Sequence, residues 1–263
     1  MNGIVAELLA RQRLLAVFGL TLLLLTPLAL GAQLVDPRTL AGVNVWVKPA
    51  KFLLSTAVFV LTLAWFFGYV REERRARRGL TILVATVLCC AIFENVYIAL
   101  QAARGLESHF NRSTPFHAVM YALMGLFAML LVATCLPLAR EIARHPAPGL
   151  PPERRVAAVT GLVLTFALGG LLGGYLGSGP GHSVGAVGAQ LPLLGWNRAG
   201  GDLRVAHFFG LHAAQALPLL AWVAGAARAR IRVAVVVAGA AFYAVFTLAV
   251  FFEAVAGRPL LPG

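Results

Sequence analysis

Seven apolar blocks, near residues 14–34, 49–70, 79–102, 115–139, 156–177, 203–225 and 231–255, are separated by short polar stretches. Each is long enough to cross a hydrocarbon core of about 30 Å, which takes about 20 residues as helix. The pattern predicts an all-α polytopic membrane protein, with residues 1–263 forming one transmembrane domain, a seven-helix bundle. Loops this short predict antiparallel neighbours. Pro49 and Pro115 fall where a first-turn proline is tolerated, and Thr114 stands in capping position before Pro115.

Composition agrees with this picture: of 263 residues 60% are hydrophobic and 12% charged, and the mean hydropathy is +0.83. The net charge of +12 does not indicate a nucleic-acid partner, because the arginines sit in short loops between apolar runs. That is the signature of a chain whose main partner is the lipid bilayer. Cys89, Cys90 and Cys135 fall inside apolar blocks and read as small buried hydrophobes. Arg11 and Arg13 followed by LLAVFGLTLLLLTPLALGA also have the form of a signal peptide, and the block is read as a retained anchor.

Lys and Arg divide unevenly between alternate loops, 14 on the side of the N-terminus and the REERRARR loop against 8 on the other. Positive charge marks the cytoplasmic side, so the expectation is a cytoplasmic N-terminus, an extracytoplasmic C-terminus and residence in a bacterial inner membrane. REERRARR itself reads as a topology determinant with an additional anionic-lipid contact. In this orientation His109, His117, His182, His207 and His212 lie in the outer half or outer loops, and only His145 is cytoplasmic.

Candidate chemistry collects on that outer side. Gly200–Pro218 carries Asp202, Arg204, His207, His212 and Gln215 within an apolar block. Polar groups in hydrocarbon are costly unless paired, so such a cluster marks a functional site by default. Glu94, Tyr97, Gln101 and Arg104 form one stripe of the third block, while Lys48, Lys51 and Ser55 open the second and His117 and Tyr121 the fourth. At about 1.5 Å per residue, Glu94 and His212 share a depth of roughly 12–13 Å, which predicts a contact between them, direct or through metal or water. His207 and His212 are about 140° apart on an ideal helix, so one metal would take both only if a π-bulge near Gly210 realigned them. Pro218 frees the carbonyl of Ala214 beside Gln215.

Three other motifs carry less. GHSVG, Gly181–Gly185, matches a nucleophile-elbow pattern around Ser183 but lies in a Gly/Pro-rich loop rather than a strand–turn–helix. Asn111-Arg112-Ser113 is a glycosylation-type tripeptide in a loop, Glu107–His117, suited to act as a lid or to supply ligands. Gly169, Gly170, Gly173, Gly174 and Gly177 make small-xxx-small patterns, a face for close helix packing. In architecture the chain resembles the membrane metal hydrolases of the alkaline ceramidase and progestin-receptor-like type. Their His-x-x-x-His pair is missing here, since the last block holds no His and offers only Tyr243 and Glu253.

The leading expectation is therefore a His-rich site for a transition metal, iron as haem or copper, serving redox chemistry, with zinc reserved for the hydrolytic alternative. Its expected ligands are His207, His212, His117, His109 and His182. Lys48, Lys51, Gln101, Arg104, Arg204, Tyr121 and Gln215 are expected to bind the ligand or its anionic groups. A zinc hydrolase of a lipid or amphiphile, with Glu94 or Asp202 activating water, is the second expectation. The third is a transporter or receptor for an anionic ligand, switched by a Glu/His pair.

Overall fold

The computed structural model describes residues 3–192 and 194–263. Among them, six helices are long and apolar enough to cross a membrane: Arg13–Val35, Val47–Phe67, Arg78–Ala103, Pro115–Arg144, Pro152–Ser178 and Ala229–Val255. The remaining block forms two shorter helices. The chain divides into two compact units, one ending at Pro137 and the other Leu138–Gly263.

In the first unit, α1 (Ile4–Arg11) and α2 (Arg13–Val35) meet at Gln12, whose side chain accepts from the amides of Leu14 and Leu15 and so caps α2. A β1–β2 hairpin (Thr39–Leu40, Val43–Asn44) leads to α3 (Val47–Phe67), and the short α4 (Glu72–Arg75) to α5 (Arg78–Ala103). α6 (Pro115–Ala133) completes the unit's spans and continues into α7 (Cys135–Arg144). α2 and α3 cross closely because residue 19 is glycine: a Cβ there would stand 2.7 Å from Cγ of Leu61. Arg11, read from sequence as a topology charge, is also a peg. Its guanidinium lies 3.8 Å from the Trp65 ring centroid, donates to the Trp65 carbonyl at 2.7 Å and pairs with Glu7 at 2.8 Å.

Both loop ends of α5 and α6 have local explanations. α5 closes with paired bonds from Gly105 N–H to the Ala102 carbonyl and Leu106 N–H to the Gln101 carbonyl. This helix stop needs a left-handed residue after the cap, and Gly105 supplies φ +67°. α6 starts as expected, with Pro115 in its first turn and the Thr114 hydroxyl accepting from the His117 amide at 3.2 Å.

The second unit pairs two irregular helices. α8 (Pro152–Leu164) passes through one π-helical turn, Thr165–Gly169, into α9 (Gly170–Ser178). α10 (Leu203–Leu211) and α11 (Ala213–Ala224) are separated at His212, which leaves helical geometry at φ −94°, ψ 8°. The Thr165 hydroxyl mends the break, donating to the Leu211 carbonyl at 3.4 Å and accepting from the Ala214 amide at 3.0 Å. Of the glycine face, Gly169 and Gly173 meet the facing helix, where a Cβ would stand 2.9 Å from Leu211 Cδ2 and 2.6 Å from His207 Cε1, while Gly174 is exposed; Gly161 and Gly210, outside that pattern, make equally close approaches. α12 (Ala229–Val255) closes the unit, its Tyr243 hydroxyl donating to the Phe209 carbonyl at 2.6 Å. Leu168, Leu172, Val205, Ala206 and Val250 form the buried core between these helices.

Candidate functional site

α5 brings the polar stripe of the first unit inward. Glu94, Tyr97 and Gln101 are all buried, at intervals of three and four residues on a single helix face. Gln101 is satisfied, donating to the Glu107 carbonyl at 3.0 Å and accepting from Arg104 at 3.4 Å. Below it, Glu94 Oε1 and the Tyr97 hydroxyl are buried with no hydrogen-bond partner, and so is Asn95 Oδ1 on the next helix position. The Asn95 amide nitrogen is committed to Thr56 Oγ1 of α3 at 3.2 Å and to the Ala91 carbonyl at 2.9 Å. Lys48, at the start of α3, is the cation whose charge reaches Glu94.

A folded loop covers this end. Asn111 is 8% exposed; its amide donates to the Glu107 carbonyl at 3.0 Å, and its oxygen accepts from the Ser113 hydroxyl at 2.7 Å. With both amide atoms engaged, the glycosylation-type tripeptide is part of the loop's framework. Phe110, at φ +59°, takes a conformation that costs a bulky residue energy. His109 packs against Phe52 of α3 and Tyr121 of α6, at centroid distances of 5.5 and 6.3 Å. Arg112 lies over Tyr121. His117 Nδ1 lies 3.2 Å from the Ser113 hydroxyl and 3.0 Å from that of Thr114, while its Nε2 is buried with no partner.

The second unit uses its candidate residues differently. Asp202 caps α10 and is 2% exposed. Its carboxylate accepts from Arg204 Nη2 at 2.6 Å, from Arg204 Nε at 2.9 Å and from the Asn197 amide at 2.9 Å. His182 Nδ1 is 3.8 Å away. Burial alone would raise the Asp202 carboxyl, but the Arg204 bonds and charge, the Asn197 amide and His182 together hold it below the ordinary carboxylate range. Ser183, in the strand β3 (Ser183–Val184) that pairs with β4 (Gly201–Asp202), bonds to His182. The loop is thus a hairpin clamped onto the start of α10, and GHSVG is not a nucleophile elbow.

His207 packs over Gly173, where a Cβ would approach its Cε1 to 2.6 Å, and its ring bonds to the Gly169 backbone. His212 bonds to Gln215 and packs on Phe208 with ring centroids 4.4 Å apart. The π-turn lies not near Gly210, where it would have realigned the two histidines, but in the facing element, at Thr165–Gly169. Glu94 belongs to the first unit, and His207 and His212 to the second.

Among the described residues, no three His, Cys, Asp or Glu side chains gather where they could hold a metal ion. Sequence reasoning did not single out Asn95, Thr56 or Thr165. A lone Asn or Thr in an apolar block is a weak signal, although Asn95 directly follows Glu94. Compared with known protein families, with curated proteins and with solved structures, the chain matches none.

Proposed function

We propose that this protein is a transporter or receptor for a small anionic or amphiphilic molecule, with its site in the first unit and Glu94 as the group whose charge changes during binding. The observation that carries this reading is a buried carboxylate oxygen without a partner, Glu94 Oε1, inside an apolar helix. A group that costs several kcal/mol to bury is retained where a ligand or proton completes it. Lys48, Lys51 and Arg104, at the ends of α3 and α5, supply positive charge for an anionic head, and Gln101 and Tyr121 line the same end of the unit. The distribution of Lys and Arg supports a seven-pass chain with this end facing the extracytoplasmic side of a bacterial inner membrane.

The test uses the full chain in lipid nanodiscs, with a fatty acid and a lysophospholipid as probes. Saturable binding is expected that weakens at least about tenfold, roughly the loss of one charge-assisted hydrogen bond, in Lys51→Ala and loses its pH dependence in Glu94→Gln. Binding of neither probe, or binding indifferent to both substitutions, overturns the reading.

One observation favours a second reading, a bound transition metal or haem. Hydroxyl groups orient His117 through Nδ1 and leave Nε2 open, the arrangement of an imidazole prepared for a ligand. Elemental analysis of the purified protein tests it. Stoichiometric iron or copper lost in His117→Gln supports a redox site, stoichiometric zinc supports hydrolysis, and a metal-free protein refutes both.

A further inference from the structure

Where α7 ends and α8 and α12 begin, the second unit gathers positive charge that it does not neutralise. Residues 138–156 and 224–233 hold seven arginines and two carboxylates, Glu141 and Glu153. Contacts bring these segments to one end of the unit. Arg155 Nη2 donates to the Ala143 carbonyl, joining α8 to α7, and Arg232 Nη1 stands 3.5 Å from Glu153 Oε1, joining α12 to α8. That pair commits the buried Glu153. Arg144, Arg154, Arg228 and Arg230 are left exposed, and among the described residues no carboxylate forms an ion pair with them.

This placement works against the helices as well as against the neighbouring charges. Arg154 and Arg155 lie in the first turn of α8, and Arg230 and Arg232 in the first turn of α12, where the helix dipole favours anions over cations. An anion supplied from outside relieves both. All seven basic side chains are arginine, whose planar fork matches phosphate oxygens in pairs. The bordering surface says which phosphate. Trp222, in the last turn of α11, is 72% exposed, and Leu219, Val223 and Ile231 around it are exposed as well. An open indole among open aliphatic side chains, at the start of a spanning helix, marks the boundary between acyl chains and headgroups. A phosphate dissolved in water gives no reason for that apolar border. A phospholipid, with its phosphate beside the arginines and its chains beside Trp222, matches both surfaces.

We propose that this end of the second unit binds anionic phospholipid, with Arg144, Arg154, Arg228 and Arg230 holding headgroup phosphates and Trp222 set among the chains next to them. The proposal concerns a different unit from the anionic-ligand reading and does not depend on it.

The experiment uses the full chain in liposomes of brominated phosphatidylglycerol or brominated phosphatidylcholine, whose bromines quench nearby indoles. The difference between wild type and Trp222→Phe isolates the lipid beside Trp222. Wild type is expected to prefer the anionic lipid about threefold or more, and the preference should fall toward one in high sodium chloride and in the double variant Arg154→Gln/Arg230→Gln. The pair Arg144→Gln/Arg228→Gln repeats the test with other side chains and keeps it decisive if the first variant does not fold. A wild-type ratio near one, or the same ratio in both double variants as in wild type, overturns the proposal. So does a preference abolished by inorganic phosphate at matched ionic strength, which would show a site for the free anion. Because only lipid beside Trp222 is read, the result is independent of whether fatty acid or lysophospholipid binds in the first unit.

Discussion

The two units bury polar side chains in apolar helices to opposite ends. In the second unit most of these side chains repair backbone: Thr165 bridges the break at His212, Tyr243 takes the Phe209 carbonyl, His207 bonds to the Gly169 backbone, and Asp202 ties a hairpin to α10. In the first unit α5 is regular over 26 residues and needs no repair, yet Glu94, Asn95 and Tyr97 leave atoms open. The irregular helices account for most of their polar atoms, with His207 Nδ1 left buried and unmet, whereas a regular helix with three unmet polar atoms in four residues calls for an occupant.

The contrast predicts that substitutions in the second unit act on stability. Asp202→Ala removes a helix cap and leaves Arg204 without its carboxylate, and should cost about 2–4 kcal/mol, discounted because Arg204 is partly exposed. Reversible unfolding in mixed micelles measures it, and a loss under about 1 kcal/mol would mean the hairpin clamp is incidental. Acid provides the same test without mutation. A carboxyl held below its unfolded value contributes stability that is fully present above the unfolded value of about 4 and is lost as pH falls through the folded one. Wild-type protein should therefore lose stability below about pH 4 more steeply than Asp202→Asn. Thr165→Val comes next, at about 1–3 kcal/mol, because it strands the Leu211 carbonyl and the Ala214 amide. Tyr243→Phe, losing one bond to a carbonyl, should cost about 0.5–1.5 kcal/mol by the same measurement.

Much of the fold was legible because bilayer thickness dictates block length. Six apolar blocks became helices of spanning length, and Thr114, Pro115, Gly169 and Gly173 behaved as their chemistry predicts. The break at His212 was not legible, since it depends on Thr165, a residue 47 positions away in sequence, whose hydroxyl replaces a missing backbone bond. The site was legible only in part. Glu94 and the Gln101 stripe stand out against apolar neighbours, whereas the histidines attract a metal reading from their number alone. His212 has near neighbours in Gln215 and Phe208 and His207 in Gly169 and Gly173, contacts that follow from tertiary packing, although His207 Nδ1 stays buried without a partner. The role of Asp202 was hidden for a related reason: Arg204, two residues on, folds back onto it, so two candidates for chemistry neutralise each other.

The smallest stability change should accompany the largest functional one. Glu94 Oε1 makes no hydrogen bond, so replacing it with the nearly isosteric amide of Gln removes no bond through that atom. Glu94→Gln should unfold within about 1 kcal/mol of wild type, because the exchange keeps the shape of the side chain and breaks no bond at Oε1. The Asp202 substitution has the opposite profile, a stability loss with ligand binding per folded molecule unchanged. The pair is decisive when both proteins are assayed for unfolding and binding together. If Glu94→Gln costs as much stability as Asp202→Ala, then Glu94 serves the fold as Asp202 does, the contrast between the units disappears, and the first unit holds no site.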